Sequence, residues 1–133
     1  MPKTILVQDP DGLISLDLAQ TVMEAWPDAS VILCRDVMQA VATLSDGQRP
    51  ELLVLRQSLR KMQAFALVDL ICDLEIKVLL TAADDDEGPD IAELGWHALD
   101  MPFSAAQVRE ALHDACPETQ PCMDSYCKEI LLG

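Results

Sequence analysis

The residues best suited to chemistry in this sequence each follow a short apolar run. Asp9 and Asp11 follow the first run, Arg56 follows the third, and Thr81 follows the fourth. Runs of three or four consecutive apolar residues are typical of parallel strands that are covered on both faces. Open α/β sheets bind ligands at the carboxyl ends of their strands, so these four residues are predicted to lie where such sheets do their chemistry.

The apolar runs alternate with amphipathic stretches along the chain. They occupy residues 5–7, 31–33, 52–55 and 78–80, and a short fifth run covers about 98–99. This alternation predicts an α/β fold, in which a doubly wound, five-stranded parallel sheet carries helices on both faces. Residues 84–89 are acidic and contain glycine and proline. The helix between the fourth and fifth strands is therefore predicted to be weak or shortened.

Helix signals separate the apolar runs. The first helix is predicted from residues at helical spacing, which are Leu13, Leu16, Ala19, Gln20 and Met23. Asp36 is predicted to cap the second helix, which stops at Asp46-Gly47. Ser104 and Gln107 have the spacing of a capping box, which predicts the start of the last helix.

Length and charge narrow the class of protein. A chain of 133 residues is long enough for one domain with a single core. The formal net charge is -14, and the nine basic residues are scattered, which disfavours binding to nucleic acid. Neither a signal segment nor a membrane-spanning run is visible, so we expect no membrane association and a cytoplasmic location.

The five cysteines indicate free thiols rather than a disulfide framework. Cys34 and Cys72 end apolar segments and are predicted to be small buried residues. The remaining three are Cys116, Cys122 and Cys127. Their spacing lacks the paired Cys-x-x-Cys of structural zinc sites. Residues 117–133 are therefore predicted to form a tail, flexible or docked on a neighbour, that carries free thiols.

Four local motifs occur in the order that is found in one known family. They are Ile-Leu-Val-Gln-Asp-Pro-Asp at 5–11, Gly-Leu-Ile-Ser-Leu-Asp-Leu at 12–18, Leu-Leu-Thr-Ala at 79–82 and Met-Pro-Phe at 101–103. With these motifs, the segment from Lys3 to about Ala115 resembles the receiver domain of bacterial response regulators. The resemblance implies a flavodoxin-like fold with strand order 2-1-3-4-5 and a receiver-like domain over residues 1–116.

The resemblance also implies a phosphorylation pocket, and this sequence departs from it. Arg56 occupies the position of the aspartate that accepts the phosphoryl group in that family. Pro10 replaces an acid that binds Mg²⁺, and Met101 replaces a lysine that holds the phosphoryl group. Asp9, Asp11 and Thr81 complete this degenerate pocket. We therefore expect no catalytic residue, no metal and no cofactor.

Arg56 has two possible roles in such a pocket. Its guanidinium can pair bidentately with Asp9 and so replace the metal ion by a cation built into the chain. Alternatively, the side chain lies in solvent and is merely tolerated. The acidic segment 84–87 is interpreted as a solvated loop rather than as a Ca²⁺ site, because the spacing of an EF-hand is missing.

The resemblance favours a phosphorylation-independent receiver module, not an enzyme, that acts in bacterial signal transduction by binding protein. The partner would be a histidine kinase, a regulator or a second copy of the chain. The interaction surface that the resemblance implies contains Trp96, His97, Leu99 and Phe103. Two alternatives remain open. One is a non-standard phosphorelay with Asp9 or Asp11 as acceptor, or phosphate binding at Thr81. The other is a redox or metal sensor that uses the tail cysteines.

Overall fold

A five-stranded parallel sheet forms the centre of the computed structural model, which describes residues 3–64, 67–99 and 104–115. The strands are β1 (Thr4–Gln8), β2 (Ser30–Cys34), β3 (Leu52–Leu55), β4 (Lys77–Leu80) and β5 (His97–Ala98). Their order across the sheet is β2-β1-β3-β4-β5, and all neighbours are parallel. The predicted flavodoxin-like topology is confirmed.

Helices cover both faces of the sheet. They are α1 (Gly12–Ala25), α2 (Val37–Ser45), α3 (Leu59–Ala64), α4 (Leu67–Leu74), α5 (Gly88–Glu93) and α6 (Ala105–Ala115). One core cluster lies between the sheet and helices α1 and α6. The other lies on the opposite face, between the sheet and the four helices α2, α3, α4 and α5. Every residue of β3 is buried, as expected for a central strand with helices on both sides. Helix α5 has six residues, so the predicted short helix is confirmed.

The predicted helix caps are present. Asp36 accepts a hydrogen bond from the backbone N–H of Gln39 at 2.9 Å and caps α2. Gly47 has a φ of +96°, a conformation that glycine adopts without strain, and it follows the end of that helix. Ser104 and Gln107 form the reciprocal hydrogen bonds of a capping box at the start of α6, with lengths of 2.8 and 3.2 Å.

Helix α1 is confirmed over the residues whose spacing predicted it, but these residues do not share one face. Leu13 and Leu16 are 77 % and 59 % exposed, and Met23 is also exposed. Leu18 and Val22, spaced four residues apart, are buried against the sheet instead. Ala19 of the predicted set is buried as well, so helical spacing predicted the helix but did not separate its buried positions from its exposed ones.

Cys34 is buried and Cys72 is exposed, so the prediction that both are buried was wrong for Cys72. Cys72 lies on the outer face of α4, whereas Ile71 beside it points into the core. Met101, Phe103 and the three tail cysteines lie outside the described residues. Within the described ranges, no helix combines the length and apolar character that crossing a membrane requires.

Candidate functional site

The register of the sheet brings Asp9, Arg56 and Thr81 to one edge. The backbone N–H of Arg56 donates to the carbonyl of Gln8 at 3.0 Å, and that of Thr81 donates to the carbonyl of Leu55 at 2.9 Å. Each of the three residues directly follows a strand, and their strands are adjacent. This edge is the carboxyl edge of the sheet, where the sequence predicted the site.

Arg56 pairs with Asp9 across β1 and β3. Its Nη1 lies 3.3 Å from Asp9 Oδ1, and the same oxygen accepts a hydrogen bond of 2.7 Å from the backbone N–H of Asp11. The carboxylate is buried at 1 % exposure, whereas the arginine side chain is 34 % exposed. The pairing is confirmed, but its predicted bidentate form was wrong. The second oxygen, Oδ2, is buried and receives no hydrogen bond from a described residue.

Asp11 does not join Asp9 in an acidic cluster. Its Oδ1 accepts hydrogen bonds from the backbone N–H groups of Leu13 and Ile14 at 2.9 and 3.4 Å, so it caps α1. A carboxylate at this position is stabilised by the positive end of the helix. Asp11 is therefore committed to α1, and the neighbouring Pro10 is exposed and carries no ligand atom in its side chain.

Thr81 is buried at 2 % exposure. Its hydroxyl lies 3.5 Å from the carbonyl oxygen of Leu55, to which it donates a long hydrogen bond. The Thr81 side chain therefore faces the backbone at the end of β3, within the sheet edge that also carries Arg56.

The residues at this edge do not fit a Mg²⁺ ion. Mg²⁺ requires several oxygen ligands in octahedral geometry. Asp9 supplies one carboxylate, Asp11 is engaged by α1, and the side chains of Pro10 and Arg56 supply no oxygen. No group of three or more acidic, histidine or cysteine side chains with the geometry of a metal site occurs among the described residues. The Arg56 guanidinium provides the positive charge beside Asp9 instead.

Glu87 is a buried carboxylate beside this edge that the sequence did not predict. It is buried at 3 % exposure and accepts three backbone N–H hydrogen bonds, from Leu59 and Asp84 at 3.0 Å and from Arg60 at 2.9 Å. Burial alone raises the pKa of this carboxyl, but the three N–H donors and the Arg60 charge outweigh it and hold the pKa below its usual value. The prediction of a purely solvated acidic loop was wrong for Glu87.

Arg60 adds surface ion pairs to the hydrogen bonds that Glu87 accepts. Its guanidinium contacts Asp84 at 2.7 Å and Glu87 at 3.7 Å, and it also forms a short contact with Asp86. Through Glu87 and Arg60, the segment after β4 is joined to the N-terminus of α3, which follows β3. A signal was available in the sequence, because Asp84 and Glu87 have the spacing of a capping box.

The residues of the predicted interaction surface that the structure describes are buried or partly buried. Trp96 is 5 % exposed and belongs to the core cluster under α5, so it is a core residue rather than an exposed anchor. His97 and Leu99 are partly buried, and Leu99 packs against the cluster beneath α1 and α6. Phe103 lies outside the described residues. An aromatic side chain gains most by full burial, which explains why Trp96 turns inward.

Solved structures with the same fold are receiver domains. A response regulator from Thermotoga maritima superposes with a TM-score of 0.66 at 16 % identity, covering 86 % of this chain and 98 % of that one. The chemotaxis response regulator CheY4 of Vibrio cholerae gives 0.65 at 17 % identity, covering 86 % and 99 %. A BeF3-activated DrrB receiver domain gives 0.60 at 19 % identity, covering 85 % and 99 %.

These comparisons show that the chain has the receiver-domain fold. They do so at identities too low to transfer an activity, because one fold supports many functions. No protein-family model matches the sequence, and no curated protein matches it either.

Proposed function

We propose that this protein is a phosphorylation-independent receiver module that acts in signal transduction by binding another protein. The observation that carries this proposal is the pair between Arg56 and Asp9. An arginine at the end of β3 cannot form the acyl phosphate that an aspartate would form there, and its guanidinium lies 3.3 Å from the carboxylate that would otherwise help to bind a metal ion. The proposal assigns the protein no enzymatic activity.

The link through Glu87 supports a module that stays in one state. Glu87 accepts hydrogen bonds from N–H groups of the segments after β3 and β4, and Arg60 adds ion pairs between them. A buried carboxylate with three donors is costly to release, because its hydrogen bonds would have to be replaced by water. The two segments are thus held together without a ligand.

Exposed apolar side chains support a protein partner. Leu13 and Leu16 lie on α1 at 77 % and 59 % exposure. Leu16 also lines a groove with Leu33, which belongs to β2, the outermost strand of the sheet. Apolar side chains grouped on a surface are typical of interaction sites. The partner is proposed to be a histidine kinase, a regulator or a second copy of the chain. The free thiols of Cys34 and Cys72 fit the cytoplasm, where cysteines stay reduced.

The proposal is tested by amide NMR with Mg²⁺ and then with Mg²⁺ plus beryllofluoride, a mimic of an acyl phosphate. We expect no saturable, Mg²⁺-dependent shift at Asp9, Arg56 or Thr81. The DrrB receiver domain, which is described in a BeF3-activated form, serves as the positive control for the reagent. Saturable shifts at these three residues that require Mg²⁺ would overturn the proposal.

The nature of the partner is approached with the chain alone. Sedimentation velocity at increasing protein concentration shows whether the chain self-associates. If it does, Leu16→Glu should weaken the association, whereas Glu93→Gln on α5, away from α1, should not. A chain that stays monomeric at all concentrations would exclude self-association and leave a different protein as the partner.

A further inference from the structure

A cleft at the carboxyl edge of the sheet is positively charged, although the protein as a whole is strongly acidic. It opens beside the ends of β1, β2 and β3 and has a volume of about 860 Å³. Arg35, Arg56 and Lys61 line it, together with a single acidic residue, Asp36. The Asp36 carboxylate already accepts the Gln39 N–H at the start of α2. The cleft therefore carries more positive than negative charge.

This concentration of cations is unusual for the chain. The sequence contains nine basic residues against 23 acidic ones, and Lys128 lies outside the described residues. Three of the other eight thus line one cleft. Arg35 and Lys61 form no ion pair with any acidic side chain in the described ranges. Charges beyond about 8 Å are largely screened at physiological salt, so the local cations dominate over the distant acids.

The floor of the cleft is a fixed row of amides. Gln57 Nε2 donates to Gln8 Oε1 at 3.1 Å, and Gln8 Nε2 donates to the carbonyl of Arg35 at 3.1 Å. Gln8 is 2 % exposed, so this row is held in place by the core. It connects the ends of β3, β1 and β2 and positions Arg35 and Arg56 at opposite ends of the same floor.

Part of the cleft lining is apolar. Val37, Met38 and Ala82 contribute to it, and Met38 is 66 % exposed. Methionine side chains adapt to flat, apolar groups of varied shape. Pockets that combine an apolar wall with a few charged groups are typical of sites for small organic ligands.

We propose that this cleft binds a phosphorylated organic molecule of nucleotide size. Arg35 and Lys61 contact its phosphate groups, and the apolar lining at Met38 contacts its organic part. Arginine and lysine bind phosphate through charge-assisted hydrogen bonds. The site is separate from acyl-phosphate chemistry, because it needs neither an acceptor aspartate nor a metal ion.

The test is an amide NMR titration of the full chain with ADP in the presence of EDTA. Pyrophosphate and adenosine are titrated separately, since each carries one half of the proposed recognition. We expect saturable shifts around Arg35, Met38 and Lys61 with ADP, weaker binding of pyrophosphate and no binding of adenosine. The chelator separates this result from the Mg²⁺-dependent shifts that would overturn the proposed function.

Charge variants decide whether the cleft is responsible. Arg35→Gln and Lys61→Gln are each expected to weaken ADP binding by about tenfold or more, as expected for loss of a charged hydrogen bond. Lys77→Gln is the matched control, because Lys77 is exposed, lies at the start of β4 on the opposite edge of the sheet and forms no ion pair with a described residue. Absence of saturable ADP shifts would overturn the proposal. So would equal losses in all three variants, or none in Arg35→Gln and Lys61→Gln.

Discussion

The pair between Arg56 and Asp9 predicts a measurable coupling energy. Two unit charges 3.3 Å apart interact by about 5 kcal/mol at an effective dielectric constant of about 20. The arginine side chain is 34 % exposed, so hydration of the free guanidinium offsets much of this energy. We therefore expect Arg56→Met to lower the free energy of unfolding by about 1–3 kcal/mol, less than the loss for a fully buried pair.

A double-mutant cycle isolates the pair itself. Asp9→Asn removes the charge but keeps an oxygen that can accept the Asp11 N–H. The double variant should lose less stability than the two single variants together, with a coupling energy of about 1–2 kcal/mol. Urea unfolding provides the free energies, and fluorescence of the buried Trp26 and Trp96 reports the transition.

Arg109 provides the matched control for this cycle. Its Nη2 lies 3.4 Å from Glu24 Oε1, almost the separation of the buried pair, but the two side chains are 47 % and 53 % exposed. Arg109→Met should therefore cost less than about 0.5 kcal/mol. The reasoning is refuted if the Arg56 and Asp9 substitutions are additive within about 0.3 kcal/mol, because additivity is the behaviour of sites that do not interact.

Three further predictions concern the same edge and the thiols. Glu87→Gln should cost about 1–3 kcal/mol at neutral pH. Folding lowers the pKa of Glu87, so its contribution to the free energy of unfolding is complete above the unfolded pKa of about 4.3 and is lost as the pH falls through the folded pKa. The loss of stability in Glu87→Gln, measured by urea unfolding, should therefore shrink in acid. A loss that does not change with pH would contradict this. Burial raises the pKa of the Cys34 thiol, so iodoacetamide should label Cys34 more slowly than the exposed Cys72 in the folded protein. Residue-resolved mass spectrometry measures the two rates, and equal rates would contradict the prediction. Arg56→Asp should place two carboxylates beside each other and create a Mg²⁺-dependent gain in stability, which thermal unfolding with Mg²⁺ or EDTA measures; no difference between the two conditions would argue against Arg56 as the replacement for a metal ion.

The sheet could be predicted from the sequence because its signals are local and repeated. Apolar runs of three or four residues that alternate with helix signals are typical of a parallel sheet covered on both faces, and this pattern predicted both the layers and the edge that carries the site. The pairing of Arg56 with Asp9 was accessible for the same reason. Both residues directly follow strands, so their separation in space depended only on the order of β1 and β3.

Side-chain orientation was less accessible. Leu16 and Leu18 are equally apolar, yet one is 59 % exposed and the other 2 %, and only the packing of α1 on the sheet separates them. Trp96 and Glu87 are two further residues whose burial the sequence did not predict. The resemblance suggested an exposed aromatic and composition suggested a solvated acid, whereas the tertiary structure buries both residues and supplies the donors that make a buried carboxylate stable.

Arg56 connects the two proposals, because it pairs with Asp9 and also lines the cationic cleft. A phosphate group bound in the cleft would attract the same guanidinium that now neutralises Asp9. Binding and pairing would then compete for one cation, and linkage requires the competition to be reciprocal. We therefore expect saturating ADP to reduce the coupling energy between Arg56 and Asp9, and Asp9→Asn to tighten ADP binding. In such a molecule a cation built into the chain makes the sheet edge independent of metal and phosphorylation, while leaving it sensitive to an anion.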